Sequence, residues 1–441
     1  MFTRVCLSLV LLSTIPVWSQ VVPTATGAAP SQSDDAQMQT PPPVSGEPFP
    51  IMVGSEARSN YLRASVNVMS AYDDNQLVGD GGHPVGDTTY SIFPTIALDQ
   101  TTPRLRQTLT YSPGFTFYQR TSALNEVDQN ASANFQYRPS QHTSINVRDT
   151  LLKSSSAFSQ SESAISGSSQ VPSANVIAPF GDRLANTLNA EFSYQFSRNG
   201  MVGGGGSLAE LHYPNPSQVP GLFNSSSRGG GAFWAARLSS TQYLGTTYQY
   251  SRTQANPLNA QSATQTSTFS VFYTIYLKRT FTLSFEGGPQ RSAFSQSSVP
   301  TESSWTPAVM ASVGWQRSRT NFVASYSRVV TGGGGLLGAF EANTGNALVR
   351  WRTGRTWTMG AQFNSTDNKD VTPLLFTSSQ GGHSLSGNVS VQHLISEHLS
   401  AECGYQRLHQ SYSGIAVLSN APDSDRVYIN VSYLFTRPLG R

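Results

Sequence analysis

Seven histidines offer the most obvious chemistry in this sequence: His83, His142, His212, His383, His393, His398 and His409. A structural or catalytic zinc site needs three or four His, Cys or carboxylate ligands converging at short, fixed spacings. His393 and His398 flank a tight turn and could approach each other, yet no acidic or cysteine partner completes a ligand set there. These are read as surface histidines, and no metal is expected. Serine is so abundant that no Ser/His/Asp grouping is informative. There is no Gly-x-Ser-x-Gly elbow to expose a nucleophile and no carboxylate pair poised for acid–base work. Gly203–Gly206 is followed by neither Gly-Lys-Ser/Thr nor a helix, so it is not a phosphate cradle. The expectation is a protein without catalytic residues or a cofactor.

What the sequence does carry is alternation. Segments of roughly ten residues place apolar side chains at every second position, the period of a strand with one apolar face. Leu62, Ala64, Val66 and Val68 form one such row, Ala131, Ala133, Phe135 and Tyr137 another, and Phe269, Val271, Tyr273, Ile275 and Leu277 a third. About 18 strands can be placed between Tyr61 and Phe435, with a range of 16–18. The last reads Arg426 to Phe435, with Val427, Ile429, Val431, Tyr433 and Phe435 on one face and Tyr428, Asn430, Ser432 and Leu434 on the other.

That final strand resembles the C-terminal strand of Gram-negative outer-membrane β-barrel proteins, which ends in an aromatic residue and is read by the membrane-insertion machinery. Tyr433 and Phe435 would be the assembly signal, although Thr436 to Arg441 follow it here. The likeness to porin-like barrels is architectural and covers roughly Tyr61 to Phe435. It implies an all-β, transmembrane, antiparallel up-and-down barrel, with lipid, lipopolysaccharide and the barrel-assembly machinery as partners and a homo-oligomer as a possible assembly.

Composition agrees. Only 12% of residues are charged, the net charge is +3, and aromatics reach 10%. Such weak, scattered charge argues against nucleic acid. Residues 1–19 read as a secretory signal peptide: Arg4, then the short apolar core Val5 to Leu12, then Val17 and Ser19 at a cleavage site. Cys6 would leave with it, so Cys403 alone remains and no internal disulfide forms. No stretch reaches the ~18 apolar residues of a membrane helix. Residues 20–59, rich in Pro, Gln, Ser and Thr, read as a disordered periplasmic leader, and residues 60–441 as the barrel.

Connections alternate between short and long, as in an outer-membrane barrel. Short ones are expected at Arg138–His142, Arg198–Gly200, Lys278–Thr280, Arg317–Thr320, Thr353–Arg355 and Leu394–Ser396. Long ones are expected at Asp73–Asp87, Lys153–Arg183, Pro214–Arg228, Gly287–Ser304, Val330–Thr344, Ser365–Gly382 and His409–Asp425. An even strand number places both chain ends on the short-turn side, the periplasm. Facing must agree across each tight turn. A three-residue turn at Lys278-Arg279-Thr280 pairs Leu277 with Phe281, Ile275 with Leu283 and Tyr273 with Phe285. A turn at Asn199-Gly200 pairs Phe196 with Gly203, Tyr194 with Gly205, Ala190 with Ala209 and Leu188 with Leu211, with cross-strand aromatics covering the glycines.

With apolar rows toward lipid, the pore lining receives Arg63, Arg106, Arg148, Glu191, Arg350 and Glu402, along with Arg104, Gln195, Arg352, Gln406 and Asn430. Asp149 is a misfit, because its register turns it toward lipid. Lys153–Arg183, the third long loop, resembles the loop that narrows trimeric porins. Its acids Glu162 and Asp182 would face lumen arginines such as Arg148 and set a transverse field. The expected function is porin-like passive diffusion of small hydrophilic solutes across the outer membrane. Rivals are a dedicated export or uptake pore, for instance for polysaccharide, and a structural or adhesive barrel with a plugged lumen. A soluble propeller lacks its blade repeat here.

Overall fold

The computed structural model describes residues 38, 40–45, 60–75, 84–160, 176–178, 180–256, 262–277, 280–296, 299–332, 334–371, 381–413, 415, 418–419 and 423–438. The segment read as a signal peptide, Glu162, and the turn residues Lys278 and Arg279 lie outside them.

Eighteen antiparallel strands close into one barrel. They are β1 (Asn60–Asp73), β2 (Asp87–Thr101), β3 (Leu105–Tyr118), β4 (Glu126–Ser140), β5 (Thr143–Ser156) and β6 (Phe180–Ser197). There follow β7 (Gly200–His212), β8 (Ser225–Ser239), β9 (Gln242–Ala255), β10 (Ser262–Leu277), β11 (Phe281–Gln296) and β12 (Val299–Gln316). The last six are β13 (Thr320–Gly332), β14 (Ala339–Thr353), β15 (Trp357–Asp370), β16 (Gly382–Leu394), β17 (Leu399–Tyr412) and β18 (Asp423–Pro438). Each strand pairs with its sequence neighbours, and β18 pairs with β1 from Tyr61↔Pro438 to Asp73↔Arg426, which closes the ring. No described helix is long and apolar enough to cross a membrane.

The two faces separate as the alternation requires. Val66, Val68 and Tyr72 on β1, Phe269 and Val271 on β10, and Val427, Ile429, Val431, Tyr433 and Phe435 on β18 are exposed on the outside. Their neighbours Ser65, Asn67, Ser270, Thr274 and Ser432 are buried toward the lumen. The β10–β11 register holds as expected, with Leu277↔Phe281, Ile275↔Leu283 and Tyr273↔Phe285.

Two sequence expectations are corrected. Gly287–Ser304 is not a long loop: β11 runs on to Gln296 and β12 begins at Val299. The Gly287-Gly288-Pro289 run looks like a breaker, but Pro289 sits opposite Pro307 in the β11–β12 ladder. Neither has an N–H, so the two tolerate a non-hydrogen-bonded position with each other, and their missing donors face β10 and β13. The β12–β13 pairing accordingly stops at Val309↔Arg328, and the upper part of β13 parts from β12 while staying paired with β14 to Gly332↔Ala339. The second correction is at the β6–β7 turn. Tyr194 pairs with Val202, Phe192 with Gly204 and Leu188 with Leu208, three residues away from the expected register. The turn lies at Arg198-Asn199, with Ser197 opposite Gly200, which accounts for two of the three residues, and a one-residue irregularity between Gln195 and Ser197 accounts for the third. Gly203 therefore points inward, where a Cβ would lie 2.4 Å from the Phe233 ring of β8. The aromatic cover comes from β8 and not from β6.

Asp149 keeps its outward register, opposite Ala133 and Leu188. Asn186 Nδ2 donates to its Oδ1 at 3.2 Å, so the charge is partnered on the outer face.

Candidate functional site

The lumen is the candidate site, and strand pairing positions its side chains. A cavity runs along the inner wall of β6–β11 and reaches Met310 of β12 and Val329 of β13. Glu191 of β6 and Glu286 of β11 both line it, with Gln195, Thr247, Thr268 and Gln290. Glu286 is buried. Its Oε1 accepts the Thr247 hydroxyl at 2.7 Å, and its Oε2 has no hydrogen-bond partner.

The other residues read as pore-lining lie on inward positions but do not converge. Arg63, near the short-turn end of β1, forms a 2.9 Å ion pair with Asp99 of β2. Arg106 of β3 is within electrostatic reach of Arg138. Arg148 stands on β5 between Asn134 and Asn189. Arg350 of β14 interacts with Arg352 and with Glu402 of β17, and Glu402 also accepts the Tyr428 hydroxyl at 2.9 Å. These groups are spread around the circumference, so no single ring of charge forms from them. Asp182 accepts the Ser155 hydroxyl at 2.5 Å where β5 and β6 bulge apart. Among the described residues, no group of three or more His, Cys, Asp or Glu could hold a metal ion.

The long-loop end carries a feature that alternation does not signal. Val176 and Ala178, Tyr213, Val219 and Leu222, Leu336 and Phe340, and Tyr412, Ile415 and Leu418 form one buried apolar cluster. They come from the β5–β6, β7–β8, β13–β14 and β17–β18 connections, with Phe340 at the start of β14 and Tyr412 at the end of β17. Segments rooted that far apart on an 18-stranded wall can share a core only by meeting over the opening. The described ends of the third long loop do fold into the mouth, but they are one component of a cap built from four connections. Hydrogen bonds complete it. Gln410 of β17 accepts from Ile177 N–H at 2.9 Å and donates to its carbonyl at 2.8 Å, and Phe223 N–H donates to the Gly335 carbonyl at 2.7 Å. The Tyr213 hydroxyl is buried with no partner, and burial raises its pKa above the ordinary tyrosine value.

Beside the cap, Arg426 of β18 and Asp73 of β1 form a buried two-bond ion pair at 2.6 and 2.9 Å. The Phe158 ring stacks 4.0 Å from the guanidinium and ties the third loop to the closing seam. The pair follows from the β1–β18 register, which no local pattern in either strand discloses.

The other end of the lumen is occupied as well. Met38 lies against Met201, Tyr243 and Tyr276, and Val44 lies against Ala235 and Phe272, with Phe233 touching both groups. This part of the leader, including the single helical turn α1 (Pro42–Ser45), sits inside the barrel near the short turns.

No protein-family model matches this chain, and no curated protein does. Among solved structures the chain is similar to the FrpB iron transporter from Neisseria meningitidis, F5-1 variant. That match has a TM-score of 0.44 and 10% identity, over 86% of this chain and 83% of that one. It is similar to OccK2 (OpdF) from Pseudomonas aeruginosa, solved in complex with glucuronate, at a TM-score of 0.41 and 10% identity over 85% and 98%. It is also similar to OccAB2 from Acinetobacter baumannii, at a TM-score of 0.41 and 9% identity over 86% and 98%. Likenesses of this strength carry nothing about the solute, the assembly or the mechanism of this chain.

Proposed function

We propose that this chain is an outer-membrane channel for small hydrophilic solutes, with its short turns and both chain ends on the periplasmic side. One observation carries the reading: an apolar outer wall encloses a lumen whose inward rows are largely polar, with open space along β6–β11. Barrels of 16–18 strands leave an aqueous passage when their interior side chains are too short to fill it, and the inner rows here are largely Ser, Thr, Asn, Gln and Gly. Passage involves no covalent step. A solute exchanges water for hydroxyl and amide contacts, while scattered Arg and Glu bias its charge.

The cap of loop residues favours a second reading, in which the barrel is plugged and its loops are the working surface. Single-channel recording in a planar bilayer separates the two. Discrete conductance steps, enlarged when residues 213–222 are replaced by a short Gly-Ser linker, support a capped channel. A well-folded barrel silent in both forms supports the plugged reading.

A further inference from the structure

The lumen wall is polar around most of its circumference, but β7–β10 depart from that near the short turns. Met201, Phe233, Ala235, Tyr243, Phe272 and Tyr276 all face inward there, on four neighbouring strands. An apolar strip inside a water-filled channel serves no lipid contact, and its exposure to water is unfavourable. The strip is also shaped. Tyr243 and Tyr276 meet edge to face, with ring centroids 5.6 Å apart. Gly245 is bare where the Phe272 ring presses on the backbone: a Cβ there would lie 2.4 Å from it.

We propose that this strip is a dock for the chain's own residues Met38 and Thr40–Ser45, which act as a removable plug shielding the short-turn end of the lumen. The proposal rests on the channel reading for its purpose, though not for its contacts. Met38 and Val44 are buried in the dock. Between them, the Thr40 hydroxyl contacts Met201 Sδ at 3.9 Å. Met38 N–H donates to Gln195 Oε1 at 3.0 Å, so a lumen amide reads the backbone of the segment. Pro41 and Pro42 fix φ at successive positions, which lowers the entropy lost when the segment is seated. The seated Met38 and Val44 side chains and the Gln195 hydrogen bond oppose the remaining cost of ordering the chain.

The test is chemical access. Ala235 lies fully buried beneath Val44, and Glu286 lines the cavity further along the lumen. Each is changed singly to cysteine (Ala235→Cys, Glu286→Cys) in a Cys403→Ser background, and labelling by a small hydrophilic maleimide is timed on purified barrel. Deleting residues 38–45 should speed labelling at both positions by tenfold or more, and Met38→Asp with Val44→Asp should do the same without shortening the chain. Mobility shift on heating checks that each variant is folded. Faster labelling at Ala235→Cys alone would reduce the segment to a local contact and overturn the plug, as would unchanged labelling at both. Neither result depends on conductance, so failure of the plug and failure of the channel reading remain distinct.

Discussion

Gln290 stands in for a missing strand at Val330. Its Oε1 accepts from Val330 N–H at 2.6 Å, and its Nε2 donates to the Val330 carbonyl at 2.9 Å. Val330 lies just past the point where β12 stops pairing with β13. Beyond that point β13 bends into the lumen, Gly332 meets Thr253 of β9, and Thr264 of β10 bonds the Gly338 carbonyl at 3.0 Å. A side-chain amide has the donor and acceptor of a peptide group, so Gln290 keeps both backbone groups of a displaced strand satisfied inside the barrel.

Gln290→Leu should therefore loosen the inward end of β13 and leave the wall intact. Stranding a buried N–H and C=O costs about 1–3 kcal/mol each, and about 1.4 kcal/mol already corresponds to tenfold in a local opening equilibrium. Hydrogen exchange at the Val330 amide should speed up by at least about tenfold, with Ile275 on β10 unchanged. Unaltered exchange at Val330 would show that other contacts hold the bend.

The separation of faces makes a parity prediction. Arg at Val389, an exposed outer position of β16, should destabilise the membrane-inserted barrel by about 2–4 kcal/mol. Arg at the next residue, Ser390, faces the lumen and should cost little. Urea unfolding in lipid bilayers measures both, and equal losses would contradict the register.

Phe435 lies on the outer face of the final strand, opposite Ala64 of β1 and exposed. Phe435→Asp should lower the yield of heat-modifiable, membrane-inserted barrel several-fold more than Thr436→Asp. Equal yields would remove Phe435 from the assembly signal.

Tyr213 allows a test of the cap that does not create a cavity. Its buried hydroxyl lacks a partner, so Tyr213→Phe should leave thermal stability unchanged or raise it by about 1 kcal/mol. Tyr213→Ala should cost about 3 kcal/mol through the void it opens. The pH dependence follows from the raised pKa. The folded form keeps this proton longer than the unfolded chain does, so the contribution is complete below the unfolded value of about 10 and declines as pH rises above it. An alkaline loss of cap protection that persists in Tyr213→Phe would assign that loss to another group.

Much of the wall was legible in the sequence because a strand's facing is a local property. Alternation at Phe269–Leu277 or Val427–Phe435 fixes inside and outside from a handful of residues, and strand number follows by repetition. What stayed hidden depends on sequence-distant encounters. Val176, Tyr213, Leu336 and Leu418 carry no shared pattern, yet they share a core because barrel closure brings their roots around one mouth. Met38 and Val44 sit in a stretch whose composition reads as linker, and their dock is made of inward aromatics that alternation treats as exceptions. At the β6–β7 connection a turn one residue earlier than expected and a one-residue bulge together shift the count by three without changing the pattern on either side.

Closure of β18 on β1 has a consequence for how the molecule comes into being. The Asp73–Arg426 contact joins residues 353 positions apart in the chain, so the step that completes the wall has the highest loop-closure cost. Until then any assembled portion is a sheet with two unpaired edges, each a template for the wrong neighbour. No subset of strands is a smaller version of the whole. Cutting an outer loop leaves the ring unbroken, whereas losing either terminal strand returns all the others to an open sheet. The barrel is therefore expected to arise as an all-or-none object, kept from self-association until its last strand meets its first.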